Sequence, residues 1–376
     1  MIYKEFCGEQ LSALGLGAMR LPTVPGDASR IDEAATAEML AYAMEKGINY
    51  YDTAWGYHNG QSEPVMGKLL SAYPRERFCL ASKFPGYDLA NMDKVEEIFE
   101  KQLERCCVSY FDFYMFHNVC ELNIDGYLDE KYGIYDYLIA QKKAGRIRHL
   151  GFSTHGSLAT MRRFLEAYGK DMEFCQIQLN YLDWSFQEAK EKIELLQEYG
   201  IPVWVMEPLR GGKLATLSGE IAEKLSAVRP GESIPALAFR FLQSIPQVVV
   251  TLSGMSNMTQ LKENIATFEE DKPLNGVEFD AILAVAADML KNQLPCTACR
   301  YCTEYCPQGL DIPQLIKLYN EHSFTGGGFI APFALRRVPR EKHPDACVGC
   351  RSCEAVCPQN IKISEAMADF ARRLQA

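Results

Sequence analysis

Four side chains, Asp52, Tyr57, Lys83 and His117, make a complementary set for proton chemistry if the fold gathers them. A tyrosine phenol near pKa 10 moves protons poorly at neutral pH unless a nearby cation stabilises its anion. Lys83 can supply that charge, Asp52 can hold the ammonium and offset its burial, and His117 can orient a carbonyl oxygen toward Tyr57. The set suits proton delivery to a carbonyl whose carbon receives hydride. Each residue also has an ordinary use: Asp52 as a loop cap, Tyr57 as surface packing, Lys83 reaching out of a strand, His117 as a core histidine. Their common position at the ends of apolar runs favours chemistry.

The second set is cysteine. Cys296-x-x-Cys299-x-x-Cys302-x-x-x-Cys306-Pro307 recurs 51 residues later as Cys347-x-x-Cys350-x-x-Cys353-x-x-x-Cys357-Pro358, an internal repeat. Three thiolates at this spacing wrap one cubane, and the distant fourth, followed by Pro, completes the other. The expected ligand sets are Cys296, Cys299, Cys302 with Cys357, and Cys347, Cys350, Cys353 with Cys306. Structural zinc is the alternative, although zinc motifs pair C-x-x-C knuckles rather than run four cysteines together. The other six cysteines, Cys7, Cys79, Cys106, Cys107, Cys120 and Cys175, read as reduced, mostly buried small hydrophobes.

The elements that must position the first set alternate. A hairpin (2–6 and 11–14) precedes a buried run, Leu14-Gly-Leu-Gly-Ala-Met19, and further strand-like runs end near Asp52, Lys83, His117, Ser153, Gln178, Met206 and Leu252. Helical patterns over 31–46, 92–106, 132–144, 157–168, 186–199 and 257–268 separate or follow them, several closed by Gly. Continuous apolar strands separated by helices require a parallel sheet covered on its outer face. Eight units fit a closed (β/α)8 TIM barrel, with a doubly wound open sheet as the alternative. In a barrel, functional groups sit at the carboxyl ends of the strands, where this chain carries Asp52, Lys83, His117, Ser153, Gln178, Glu207 and Ser253.

The chain has 376 residues, 48% hydrophobic, which supports a barrel over 1–275 and a smaller module over 276–376. A charged linker (269–276) and a helix over 277–292 lead into the cysteine repeat. The net charge of -10 argues against nucleic acid or an anionic membrane as partner. The absence of an 18-residue apolar stretch or signal-peptide layout gives cytoplasmic localisation as the expectation.

The residues of 1–270 resemble the aldo-keto reductase family. The matching motifs are Leu14-Gly-Leu-Gly-Ala-Met19, Asp52-Thr-Ala-Trp-Gly-Tyr57 with Ser62-Glu63, Lys83, Phe116-His117, Gly151-Phe-Ser153, Gln176-Ile-Gln-Leu-Asn-Tyr181, Glu207-Pro-Leu-Arg-Gly-Gly212 and Gln260-Leu-Lys-Glu-Asn264. The resemblance implies an α/β barrel binding a nicotinamide dinucleotide without a Rossmann fingerprint, with Tyr57 as general acid, Lys83 and Asp52 tuning it and His117 orienting substrate. It implies that Ser153, Thr154 and Gln178 hold the nicotinamide, with Met206 where many members stack an aromatic. The loop Glu207, Pro208, Leu209, Arg210, Gly211 would face the pyrophosphate, with Arg210 as counter-charge, and Ser253, Gly254, Gln260, Glu263 and Asn264 would surround the adenosine. The basic residues that grip a 2'-phosphate in NADPH-selective members appear here as Gly254 and Gln260, so NADP(H) is expected by family habit, with NAD(H) or a flavin as alternatives.

The tail resembles a bacterial two-cluster ferredoxin, which implies a small α+β iron-sulfur domain with two [4Fe-4S] clusters. Its long insert (309–346) reads as a loop free to contact the barrel or a partner. Hydride moves two electrons whereas a cluster normally carries one. The readings are a carbonyl–alcohol oxidoreductase whose clusters exchange electrons with an external one-electron carrier, the same enzyme with structural clusters, and an electron-transfer or redox-sensing protein whose barrel binds nucleotide with little turnover.

Overall fold

Eight apolar runs become parallel strands: Leu14–Gly17, Tyr50–Asp52, Cys79–Phe84, Phe111–Val119, Ile147–Thr154, Cys175–Gln178, Val203–Met206 and Val248–Ser253. Each pairs with the next, and the eighth closes on the first through Thr251–Leu14 and Ser253–Leu16, so the open-sheet alternative is excluded. The computed structural model describes residues 1–291, 293–297 and 299–375. It divides into two units, Met1–Ala286 and Ala287–Ala376.

Side-chain volume explains the barrel's interior. Tyr50, Phe113, Phe174 and Trp204 fill it together with Phe6. Phe6 arrives on a hairpin, Tyr3–Phe6 paired with Glu9–Ser12, and its ring lies 4.9 Å from Trp204. Burying each such ring contributes about 1.5–3 kcal/mol. These contacts close the amino end of the barrel and leave the carboxyl end for chemistry. Close packing also fixes Gly151, where a Cβ would come within 2.4 Å of the Phe174 carbonyl oxygen.

The helices start where side chains satisfy their first amides: Asp32 accepts from Ala35 N and Asn257 from Gln260 N. The first helix is Glu33–Glu45 rather than 31–46, because Ile31 belongs to a hairpin, Thr23–Val24 with Asp27–Ile31, that the sequence did not announce. The helix expected over 277–292 spans Gly276–Leu290, and Asn292 lies outside the described residues. Cys106, Cys120 and Cys175 are buried as expected, but Cys7 and Cys107 are exposed, at turns with φ of 50° and 53°.

In the second unit the described regular elements are helices in place of the strands of an α+β module. The insert read as a loop forms helices Ile312–Thr325 and Ile330–Leu335. Asp311 caps the first by accepting from Gln314 N, and Gly326 ends it at φ 63°. Ile312, Leu315 and Ile316 lie on one face at three- and four-residue spacing, and they bury with Ile363, Met367 and Phe370 of the helix Ile363–Arg373. Among the described residues no helix is long and apolar enough to cross a membrane.

Candidate active site

Asp52 ends the second strand and Lys83 is the penultimate residue of the third, so adjacent parallel strands deliver an acid and a base to one rim. The Lys83 Nζ donates to Asp52 Oδ1 at 2.6 Å and to the Thr53 carbonyl at 2.8 Å. It also lies 3.4 Å from the Tyr57 hydroxyl. Both charges are removed from water, Lys83 being 0% and Asp52 2% exposed. Burial pulls the Asp52 carboxyl up and the Lys83 amine down, and each opposes the other's shift.

Tyr57 is held by its loop. The Ser62 hydroxyl donates to Ala18 O at 2.9 Å and meets Thr53 Oγ1 at 2.8 Å, and His58 Nε2 accepts from Leu21 N at 3.0 Å. Burial pushes the Tyr57 phenol well above its usual value, with Asp52 and Glu207 adding to the effect and Arg20 opposing it. The phenol is therefore held protonated. A general acid at Tyr57 requires that state. The His117 ring stands edge-on to Tyr57 at 6.2 Å, and burial, then Lys83, drive the imidazole well below 6.5, keeping it neutral. Behind the rim, buried Glu63 accepts from Ser82 at 2.7 Å and from Gln102, whose Nε2 also donates to Lys83 O at 3.1 Å.

The fifth to eighth strands carry the remaining predicted residues. Ser153 Oγ accepts from Asn118 N at 2.8 Å, while the Thr154 hydroxyl is engaged with Val119 O at 2.7 Å. Gln178 and Asn180 donate to Asp183 Oδ2 at 2.8 and 2.6 Å, and Arg210 Nε reaches both Asp183 oxygens at 3.0 Å. Arg210, expected as a counter-charge facing a pyrophosphate, is only 5% exposed and has Asp183 as its ion-pair partner. Met206 and Leu209 are half-buried, Pro208 is buried, and Asn264 donates to Ser253 Oγ at 3.1 Å. Gln260 and Glu263 are exposed, and Gln260 Oε1 accepts from Ser256 N at 2.8 Å.

Four residues at this rim were not singled out from sequence. Arg20, just past the first strand, pairs with Glu207 at 3.2 Å. Its side chain borders two glycines: a Cβ on Gly211 would lie 2.9 Å from its Nη2 and one on Gly254 3.1 Å from its Cβ. Asp183 anchors the Arg210 network, Asn118 leaves Oδ1 buried without a partner, and Tyr87 packs against His117. Arg20 directly follows the glycine-rich first strand, the one signal that could have found it; the other three carry none in a single sequence. Orphaned Asn118 Oδ1 and His117 Nδ1 leave hydrogen-bonding positions that an amide-bearing ligand can meet, and the Arg20 guanidinium, paired with Glu207, borders Gly211.

In the second unit, Cys347, Cys350, Cys353 and Cys306 line one cavity. Cys296, Cys299, Cys302 and Cys357 line another. These are the two crossed sets expected from the repeat. Cys302 and Cys353 are buried in the unit's core, while Cys299 and Cys350 face solvent. Four convergent thiols per cavity fit a cubane by donor chemistry.

The family model described as "Aldo/keto reductase family" matches residues 13–287, and that described as "4Fe-4S dicluster domain" matches residues 295–362. L-galactose dehydrogenase of Arabidopsis thaliana is 26% identical over 301 residues, 74% of this chain and 91% of that protein. The NADH-specific methylglyoxal reductase of Escherichia coli (strain K12) is 25% identical over 299 residues, 68% of this chain and 89% of that protein. The solved holo form of aldo-keto reductase AKR11C1 from Bacillus halodurans superposes with a TM-score of 0.61 at 25% identity, covering 76% of this chain and 96% of that one.

Proposed function

The chain belongs to the aldo/keto reductase family of oxidoreductases and carries a 4Fe-4S dicluster domain, and from that premise we propose that it reduces a small carbonyl compound with a nicotinamide dinucleotide. The observation that carries this reading is the buried Asp52–Lys83 pair lying 3.4 Å from a phenol that burial keeps protonated. A protonated phenol is a proton donor, which favours reduction over alcohol oxidation.

In this reading Tyr57 donates its proton to the carbonyl oxygen, and Lys83 meets the phenolate as it forms. Asp52 holds Lys83 in place, and neutral His117 orients the same oxygen. The bound nucleotide would supply the hydride. Ser153, Gln178 and Asn118 would hold its amide, Thr154 would position the strand end, and Met206 would pack against the ring. Glu207, Pro208, Leu209 and Gly211 would line the pyrophosphate, with Arg20 supplying the charge, because its pair with Glu207 is solvent-accessible and exchangeable whereas Arg210 is buried against Asp183. Ser253, Gly254, Gln260, Glu263 and Asn264 would face the adenosine. None of these five is cationic and Glu263 is an exposed anion, which favours NADH over NADPH, whose extra phosphate it would repel. Anaerobic turnover is expected to show kcat/KM at least about tenfold higher with NADH, a difference of about 1.4 kcal/mol. A preference for NADPH would contradict this assignment of the adenosine end.

We assign one [4Fe-4S] cluster to each cysteine set. Hydride carries two electrons and a cluster one, so the clusters are read as exchanging single electrons with an external carrier through the exposed Cys299 and Cys350 edges. Buried Cys302 and Cys353 give the clusters a second role in holding their unit together. Cys299→Ser with Cys350→Ser is expected to lower iron below about eight per chain and to abolish reduction of the clusters by a viologen. NADH-linked carbonyl reduction per folded chain is expected to persist. Its loss beyond the loss of folded protein would instead place the clusters in the hydride reaction.

The substrate class draws support from the relatives. L-galactose and methylglyoxal both carry an oxygen on the carbon next to a carbonyl or hemiacetal carbon, and the proteins named for them align with most of this chain.

A further inference from the structure

Tyr87 lies in the loop after the third strand, four residues past Lys83, and takes no part in the proton delivery described above. Its ring meets His117 at 5.1 Å and 90°, so the imidazole is bracketed between Tyr87 and Tyr57. Its hydroxyl packs on Gly56, the residue before Tyr57, where a Cβ would come within 2.4 Å of the phenol oxygen. Gly56 therefore makes room for that hydroxyl at the backbone next to Tyr57. Tyr87 is half-buried, and its hydroxyl donates to no described residue. That oxygen is open to water rather than sealed in the core, and a ligand group can take the water's place.

A carbonyl oxygen has two lone pairs, which Tyr57 and His117 would satisfy, so a third hydrogen-bonding side chain packed against His117 is in excess for a simple aldehyde or ketone. We propose that Tyr87 is a specificity-determining residue whose hydroxyl bonds an oxygen on the carbon adjacent to the reacting carbonyl, making α-hydroxy and α-oxo carbonyl compounds the preferred substrates. The inference rests on the carbonyl-reductase reading and deepens it. Burial, reinforced by the charges of Asp88 and Glu63, pushes the Tyr87 phenol up to about 12, so it stays a donor at working pH. It can donate to a second carbonyl or to a hydroxyl oxygen alike. A site that bonds a substrate oxygen discriminates strongly against analogues lacking it, because the site's own polar group is then left unpaired.

Hydroxyacetone and butanone test this, being near-isosteric ketones that differ by one oxygen at the α-substituent. The holo-protein is assayed anaerobically with NADH and NADPH, as wild type, Tyr87→Phe and Tyr87→Leu, with iron content and thermal unfolding confirming fold and clusters. Wild type is expected to prefer hydroxyacetone, and Tyr87→Phe to cut kcat/KM for hydroxyacetone about tenfold while leaving butanone within about twofold. Tyr87→Leu removes the ring as well and is expected to lower both. Equal loss on both ketones in Tyr87→Phe would make Tyr87 a mere support for His117 and overturn the proposal, as would no change on either. If wild type reduces neither ketone, nor any aldehyde, with either nucleotide, the carbonyl-reductase reading itself has failed.

Discussion

Tyr57→Phe is expected to lower carbonyl reduction by about 10²- to 10⁴-fold, the range a positioned proton donor supplies, with little change in nucleotide affinity. The size follows from the surroundings. The hydroxyl lies 3.4 Å from Lys83 Nζ, and the other candidate donor, His117, is driven neutral by its burial. With the phenol gone, proton transfer falls to water. The same environment fixes the pH profile of the wild type. Tyr57 has its pKa raised, so the donor form persists above the ordinary tyrosine value of about 10. His117 has its pKa lowered, so no imidazolium forms near the ordinary value of about 6.5. Stopped-flow kcat/KM for reduction should therefore show no inflection at either value. A basic limb near pH 10 that disappears in Tyr57→Phe would contradict the protonated phenol.

Asp52→Ala should cost about 3–5 kcal/mol of stability, because it leaves the Lys83 ammonium buried without its anion. Lys83 is 0% exposed and loses its 2.6 Å bond, retaining only Thr53 O and the Tyr57 hydroxyl. Replacing the whole pair, Asp52→Leu with Lys83→Met, should restore most of that stability, since well-packed apolar groups match or exceed a buried ion pair. Activity should not return with it. Thermal or denaturant unfolding of the single and double variants under nitrogen checks the first half, and the carbonyl assay checks the second. A single variant as stable as wild type would mean that the pair is hydrated and that its shifts are not set by burial.

The sequence made the barrel and its rim readable for a definite reason. Most of the strands carry mainly apolar runs that give way to polar residues at or near their carboxyl ends, the edge where a parallel barrel places side chains for chemistry, as at Asp52, Lys83, His117 and Gln178. The grouping of the cysteines was equally legible because their spacing is local: the four of each expected set line one cavity. What escaped depends on contacts remote in sequence or on weak local signals. Arg20 finds Glu207 across 187 positions, and Arg210 looks like an exposed loop cation until Asp183 is seen to bury it. The Thr23–Val24 and Asp27–Ile31 hairpin has almost no apolar pattern, its second strand being exposed except at Ile31. In the tail, three glycines and several prolines suggested a loop, but Asp311 and the Ile312, Leu315, Ile316 face outweighed them. The unpartnered Tyr87 hydroxyl is invisible to any periodicity.

In the proposed reaction hydride passes from nicotinamide to a carbonyl carbon in this barrel while the clusters handle electrons separately. Anaerobic turnover of the full-length holo-protein with hydroxyacetone and NADH deuterated on the transferable C4 position, with product mass as the readout, tests it most directly. The account predicts one deuterium on the new carbinol carbon, equally in wild type and in the Cys299→Ser, Cys350→Ser variant. Product carrying only solvent hydrogen at that carbon, or formed only when an external one-electron donor keeps the clusters reduced, would contradict it.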